Sequence, residues 1–243
     1  MSLNSTPRAV VLAAGDGGRL GAHTADLPKP LVPIHGRPII QYTLESLARA
    51  GVPEAVIVTG YRETLVHAAL AESAIPGLAL TFVSNPRFRD GASLSLRAAR
   101  AATAGERFLL VMSDHLLSAD LVRRLLETAA AGGPRDSFVA ADRSPHETAY
   151  IEEATKVSLA RDGRVLAIGK ALPGWEALDT GAFVFAPAAW EAVDAVPEDC
   201  ELSVICGELA RRGELFAADV SGATWYDVDT PDDLAAAADI VSA

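Results

Sequence analysis

The sequence is short of several things, and each shortage closes a class of function. Only two cysteines occur in 243 residues, Cys200 and Cys206. Six positions apart in what reads as one helix, they face different ways, which suits neither a zinc knuckle nor a redox pair and fits idle thiols in a reducing compartment. No run approaches the ~20 apolar residues of a membrane span. The opening stretch MSLNSTPRAVVLAAG lacks both the length of a signal h-region and a basic start. A cytoplasmic location without membrane insertion is therefore expected, and MSLNSTP is expected to lie outside the fold. Basic residues are outnumbered, 21 Lys and Arg against 32 Asp and Glu, for a formal net charge of -11. Such a field repels nucleic acid and anionic membranes, so no nucleic-acid partner is expected and a phosphate ligand must be held by local groups.

What is present is apolar residue in patterned blocks. Half of the chain is apolar, enough to bury a large core. AVVLAA reads as a fully buried strand and GRPIIQYTLESLARAG as a helix, with Pro38 in its first turn, Ile40, Leu44 and Leu47 on one face and Gly51 as its stop. EAVIVTG and YRETLVHAALAES repeat the pair, LALTFVSN and SLSLRAARAAT make a third, and RFLLVMSD with ADLVRRLLETAAAGG a fourth. Alternation of this kind predicts a parallel sheet wrapped by crossover helices, with ligands beyond the carboxyl ends of the strands. After about residue 137 the pattern changes to SFVAAD, ATKVSLARDGRVLAIGK and DTGAFVFAP, strands joined by tight turns, with Arg161-Asp162-Gly163 as a hairpin. Helices at 187–195 and 201–212, a strand LFAADV, the segment TWYDVDT and a helix from Pro231 complete the pattern. With no internal repeat or low-complexity linker, residues 1–243 read as one mixed α/β domain, 8–136 binding nucleotide and 137–243 capping the sheet and carrying the acceptor pocket.

The carboxyl-end rule selects three places: the loop after strand one, SNPRFRDGASLS after strand three, and SDH after strand four. In the first, LAAGDGGRL sets Gly15, Gly17 and Gly18 ahead of Arg19. A P-loop would need a Gly-Lys pair, and a dinucleotide loop would need glycine where Leu20 stands. G-x-G-x-R remains, with LPKPL beyond it and Lys29 on a stiff Pro-Lys-Pro turn. Glycines let backbone amides approach phosphate oxygens, and an arginine fork and a lysine add charge for them. The bland alternative is a tight strand-to-helix turn with two surface cations.

With its order of motifs, VLAAGDGGRL, LPKPLVPIHGRPIIQYTLESLARAGV, NPRFRDGASLSL, VMSDH, ATKV, IGK and DTGAFVF, the chain resembles the nucleotidyltransferases that join an NTP to a sugar phosphate or a phosphorylated alcohol. Within that group it looks most like CTP:inositol-1-phosphate cytidylyltransferases, then phosphocholine cytidylyltransferases. The resemblance runs from Ala9 to about Leu234. It implies a Rossmann-like nucleotidyltransferase fold with a mixed, mostly parallel sheet and a small β cap, Mg2+ dependence, and CTP with a small phosphorylated alcohol as partners; a homodimer is compatible with it. It implies Arg19 and Lys29 as catalytic cations. Nucleotide-binding residues would be Leu12, Ala13, Ala14, Gly15, Gly17 and Gly18 in the loop, and Asn85, Gly91, Ala92 and Ser93 along the base, where cytosine is favoured and a purine stays open.

Two anions must meet in such a reaction, and each unit-charge pair at ~4 Å and an effective dielectric of ~20 costs about 4 kcal/mol. A divalent ion is expected between them. Asp114 stands where strand four delivers a carboxylate to the ligand edge, and Asp227 and Asp229 share a face if their segment is extended. The resemblance makes these the metal residues. Asp114 could instead cap a helix, although Ser118 and Asp120 lie nearer to it, and Asp227 or Asp229 could form the turn before Pro231. Lys156 and Lys170 are implied for the acceptor phosphate, and Asp179, Thr180 and Gly181 for a polyol; a choline pocket would draw on Trp175 and Tyr150. His115 is expected to be neutral. The expected reaction is in-line attack of the acceptor phosphate on the α-phosphorus with loss of pyrophosphate, without a covalent intermediate or general base, its CDP-alcohol product passing to a lipid-forming phosphotransferase. Sugar-1-phosphate and aminoethylphosphonate enzymes, and a non-catalytic nucleotide sensor, are the rivals.

Overall fold

The computed structural model describes residues 6–145 and 151–242. Strand β1 (Ala9–Ala13) is buried at every position, as expected of a strand covered on both faces. The turn Pro33–Ile34 (β2) and Arg37–Pro38 (β3) leads into α1 (Ile39–Arg49), on which Ile40, Leu44 and Leu47 are fully buried. Next come β4 (Glu54–Thr59), α2 (Glu63–Glu72), β5 (Ala79–Ser84), α3 (Ala92–Ala98), α4 (Arg100–Thr103), β6 (Phe108–Met112), β7 (His115–Leu117) and α5 (Ala119–Ala131). The later part holds β8 (Ser137–Asp142), β9 (Lys156–Leu159), β10 (Val165–Gly169), β11 (Ala177–Phe185), α6 (Ala189–Ala195), α7 (Leu202–Arg211), β12 (Leu215–Asp219), β13 (Trp225–Asp227) and α8 (Pro231–Ile240).

The main sheet runs β10-β9-β11-β6-β1-β4-β5, with β8 on β11 and β12 on β8. Strands β6, β1, β4 and β5 are mutually parallel, and β11 runs antiparallel to β6. This is a mixed, mostly parallel α/β sheet flanked by helices. Period-two alternation divides its core: Ala9, Val11 and Ala13 face α1, α2 and α5, while Val10 and Leu12 face α3, α6 and α7. Strands β8, β11 and β12 join the body of the sheet because their residues are apolar on both faces. The β9–β10 hairpin extends from the first residues of β11.

From β1 the chain steps through β4 to β5 on one side, then returns to β6 on the other. The crevice beyond the carboxyl ends of β1 and β6 is therefore the switch point at which open α/β sheets bind ligands. A third, smaller core lies beside it, in which Leu20, Val32, Ile34, Ile39, Leu116, Val228 and Ala237 glue the glycine loop, β7 and α8 together.

Three local expectations are corrected. The third helix breaks at Ala99 into α3 and α4. Cys200 precedes α7, so the cysteines do not share a helix. Between β6 and α5 lies β7, which no sequence pattern announced. Among the described residues no helix is long and apolar enough to cross a membrane.

Candidate active site

The glycine loop leaves β1 with its backbone already tied: the Leu12 carbonyl accepts from Ser113 and the Ala14 carbonyl from Tyr61. The side chains of Leu12, Ala13 and Ala14 are buried. Gly17 has φ +72, and a Cβ there would stand 2.6 Å from Lys29 Cβ, so only glycine lets the Pro-Lys-Pro turn come this close. Gly15 meets no such neighbour, and the Gly18 amide donates to Asp16 Oδ1 at 3.2 Å. Lys29, 8% exposed, opens a single 3-10 turn after Pro28. Its Nζ donates to Asp229 Oδ1 at 2.7 Å and pairs with Asp114 Oδ2, and Arg19 Nη2 donates to the same Asp229 oxygen at 2.7 Å. A cleft of about 460 Å³ opens here, lined by Gly15, Asp16, Gly17, Gly18, Arg19, Lys29, Asp114 and Asp229.

The two acidic segments, more than a hundred residues apart in sequence, are stitched by pairing of β7 with β13, in which His115 faces Asp227, and by the Val228 amide donating to the Asp114 carbonyl at 3.1 Å. The capping alternatives are settled by other residues. Ser118 Oγ accepts from Leu121 N at the start of α5. At α8, Thr230 and Asp233 form a capping box, and Asp233 Oδ2 also accepts from Asp229 N at 3.1 Å. The carboxylates of Asp114 and Asp229 are thereby left to the cleft.

His115 is the site residue that sequence reasoning undervalued; its adjacency to Asp114 in SDH was the available signal. Its Nδ1 lies 3.1 Å from Asp114 Oδ1 and 3.6 Å from Asp227 Oδ1. Burial alone would lower its pKa, but Asp227 and Asp114 outweigh it and raise it to about 9. The rise runs against the expectation of a neutral imidazole, because Asp227, brought in from a distant strand, adds its charge to that of the neighbouring Asp114. Burial opposes ionisation of Asp114 as well, yet Lys29 and His115 hold it well below the ordinary range. Asp227, pushed up by burial and by Asp114 and Asp229 against the pull of His115, comes to about 6. Lys29, despite burial, is raised by Asp114, Asp229 and Asp227 and stays charged.

Asp114, His115 and Asp227 offer ligand atoms that all lie within 4.8 Å of one another. Asp227 Oδ1 is buried without a hydrogen-bond partner among the described residues. A carboxylate oxygen without a hydrogen bond, beside a second carboxylate, fits a divalent cation, which takes oxygen donors.

The base-side residues are assembled next to β5 but do not line this cleft. Asn85 Nδ2 donates to Ser95 Oγ at 3.0 Å, and its Oδ1 accepts from Arg87 N. Ser93 is fully buried, its hydroxyl donating to the Glu198 carbonyl and its amide to that of Cys200. Gly91, with φ +129, precedes Ala92 at the start of α3, and a Cβ on it would stand 2.7 Å from the Asp199 carbonyl. The polar side chains of Asn85 and Ser93 are thus spent on shaping the loop.

On the other side, β9 sets Lys156 opposite Gly169 and Leu178, which brings Lys156, Lys170 and Asp179 to one end of three strands. Lys156 is buried, its Nζ donating, among the described residues, to the carbonyls of Glu152 at 2.9 Å and Ala154 at 3.1 Å. Lys170 is exposed and Trp175 half-buried, and Tyr150 lies outside the described residues. Asp179 Oδ1 accepts from Gly181 N at 2.8 Å, and burial raises its pKa to about 7. Thr180 is turned away: fully buried, its hydroxyl donates to the Ala140 carbonyl at 3.1 Å. Gly181 (φ +78) backs onto the His115 ring, which a Cβ would strike.

Strand order, a switch-point cleft and two cations at its glycine loop are the features of an α/β protein that binds an anionic ligand at the carboxyl edge of its sheet. The chain belongs to the MobA-like NTP transferase domain family, which it matches over residues 9–211. It is 34% identical over 227 residues to a "Bifunctional IPC transferase and DIPP synthase" of Thermococcus kodakarensis, covering 93% of this chain and 49% of that protein. It is 35% identical over 248 residues to a "CMP-5'-(3-aminopropyl)phosphonate synthase" of Streptomyces rubellomurinus, covering 93% and 37%. The chain thus spans half or less of the length of these curated relatives. The structure of an inositol-1-phosphate CTP transferase from T. maritima superposes with a TM-score of 0.84 at 25% identity, covering 98% of this chain and 96% of that one.

Proposed function

We propose that this chain condenses CTP with a small phosphorylated alcohol, inositol 1-phosphate foremost, to give a CDP-alcohol and pyrophosphate. The observation that carries the reading is the bridge of Lys29 between Asp114 and Asp229 at the mouth of the glycine loop. Cations for a triphosphate and carboxylates for a metal meet there at one point of the fold. The relatives named for IPC transfer and for inositol-1-phosphate CTP transfer support the choice of base and acceptor.

Residues 8–136 act as the nucleotide half and 137–243 as the acceptor-binding and metal-completing half. Amides of the glycine loop, Arg19 and Lys29 bind the triphosphate, and the loop from Asn85 to Ser93 flanks the base. Asp114 and Asp227, with Asp229 beside them, would hold Mg2+, which when bound supplies charge neutralisation at the reacting phosphates. Lys156 and Lys170 bind the acceptor phosphate, and Asp179 faces the alcohol, with Thr180 taking no part because its hydroxyl is turned to Ala140. The acceptor oxygen, already anionic near neutral pH, attacks the α-phosphorus in line. Positioning and charge neutralisation therefore suffice, and no side chain has to remove a proton. The enzyme works in the cytoplasm, and its carriers of charge are local, as the acidic surface requires.

A second reading, an aminoalkylphosphonate acceptor, is favoured by the Streptomyces relative. Purified protein with Mg2+ is screened with each NTP against inositol 1-phosphate, aminoethylphosphonate, phosphocholine and glucose 1-phosphate, scored by pyrophosphate release. Fastest release with CTP and inositol 1-phosphate is expected. Preference for a phosphonate installs the second reading, and CTP binding without pyrophosphate release under any acceptor makes the chain a sensor.

A further inference from the structure

The cation demand of the carboxylates is already met from inside the chain. Lys29 Nζ holds Asp229 Oδ1 at 2.7 Å and pairs with Asp114 Oδ2, and Arg19 holds the same Asp229 oxygen. The lysine side chain is only 10% exposed and both carboxylates 18%. Its backbone is fixed by the prolines on either side and by the close approach of Gly17. An ammonium and a divalent ion repel too strongly to sit on one carboxylate edge together. An ion arriving alone would have to expel a buried ammonium from the two carboxylates that pair with it. A polyphosphate in the adjoining cleft changes this, because it offers Lys29 and Arg19 other oxygens a short side-chain rotation away.

We propose that Lys29 is a resident cation that keeps the metal site closed until a polyphosphate draws it off Asp114 and Asp229, so that divalent-ion binding is gated by nucleotide. The identity of the polyphosphate rests on the nucleotidyltransferase reading; the closure rests on the ion pairs alone. Asp227 Oδ1, buried and without a hydrogen bond among the described residues although His115 Nδ1 lies 3.6 Å away, is the oxygen with acceptor capacity left for the incoming ion. Coupling of this kind is reciprocal, so the ion also tightens the nucleotide.

The test is Mn2+ titration of the full chain without nucleotide, monitored by the electron paramagnetic resonance of free Mn2+. Lys29→Met and Lys29→Gln are each expected to bind Mn2+ at least about tenfold more tightly than wild type, since one opposing charge at contact distance is removed. The gain disappears when Asp114→Asn is added to Lys29→Met, and Mn2+ raises the Tm of Lys29→Met while leaving that of wild type in place. Equal Mn2+ affinity in wild type and Lys29→Met, or a gain that survives Asp114→Asn, overturns the proposal. Should neither lysine variant fold, wild type decides: one equivalent of Mn2+ bound without CTP overturns the gate, and uptake only after CTP is added supports it. A wild type that releases no pyrophosphate while Lys29→Met still gains Mn2+ sinks the nucleotidyltransferase reading and leaves the gate. Normal turnover with unchanged Mn2+ affinity sinks the gate alone.

Discussion

Gly17 and Lys29 touch across the cleft wall, with room for no Cβ between them: one added at Gly17 would stand 2.6 Å from that of Lys29. Gly17→Ala must also place a side chain at φ +72, and the two effects together are expected to cost about 1–3 kcal/mol in urea denaturation. Displacing Lys29 by a fraction of an ångström should lower kcat/KM for CTP by about tenfold or more. Gly15→Ala, with no atom within 4 Å of its Cβ, should leave stability unchanged, so that any loss of turnover reports ligand approach alone.

Asp114→Asn should reduce kcat by about 10²–10³-fold, the scale seen when one preorganised electrostatic partner is removed. It also leaves Lys29 with Asp229 as its remaining hydrogen-bonded carboxylate, so stability should fall by about 1–3 kcal/mol. Steady-state kinetics beside a melting curve separates the two. Unaltered kcat would remove Asp114 from the metal set.

Asp233 touches Thr230 and the Asp229 amide, not the cleft. Asp233→Ala is expected to cost about 1 kcal/mol through the lost cap and, by loosening Asp229, to raise the KM for CTP. Ser118→Ala removes the comparable cap of α5 at similar cost, with KM unmoved. Identical kinetics in the two variants would detach Asp229 from nucleotide binding.

Asp179 predicts a pH dependence. Burial raises its folded pKa from 3.8 to about 7, so the folded state binds this proton more tightly than the unfolded chain. Its contribution is most favourable at low pH and is lost as pH rises from about 4 to about 7. Asp179→Asn keeps the oxygen that accepts from Gly181 and does not ionise. It should match wild type near pH 4 and exceed it by about 1–3 kcal/mol at pH 8. A constant difference across that range would show the carboxyl to be solvated.

Among the described residues Lys156 donates to carbonyls, so Lys156→Met strips none of their carboxylates of a partner and should change stability by no more than about 1 kcal/mol. The KM for the acceptor should rise by about tenfold, equivalent to ~1.4 kcal/mol, with that for CTP nearly unchanged. The opposite split would move Lys156 to the nucleotide side.

The alternation from β1 to β6 was legible because each element carries its own period: Ile40, Leu44 and Leu47 recur at helical spacing, and the AVVLA of β1 has none. Asp114 was legible for a related reason, since it follows a buried strand by two residues and the carboxyl edge is where such sheets bind. Strand β7 was not. Its three residues have no local signature, and they become a strand only by pairing with Trp225–Asp227. Thr180 misled because a hydroxyl beside a glycine suits a polyol equally well whether it faces the cleft or the sheet, and the register of β11 against β8 turned it to Ala140.

From the order of residues alone came the parallel α/β body, the phosphate-type loop and the acidic residues at strand ends, because periodicity and turn chemistry act over a few positions. Only the folded chain decided that Lys29 lies between Asp114 and Asp229, that Thr230 and Asp233 cap the last helix and leave Asp229 to the cleft, and that Asp227 joins Asp114 in raising the pKa of His115. Each of these is a through-space energy between segments about a hundred residues or more apart, or a choice between neighbours that those contacts make, and no local pattern encodes it.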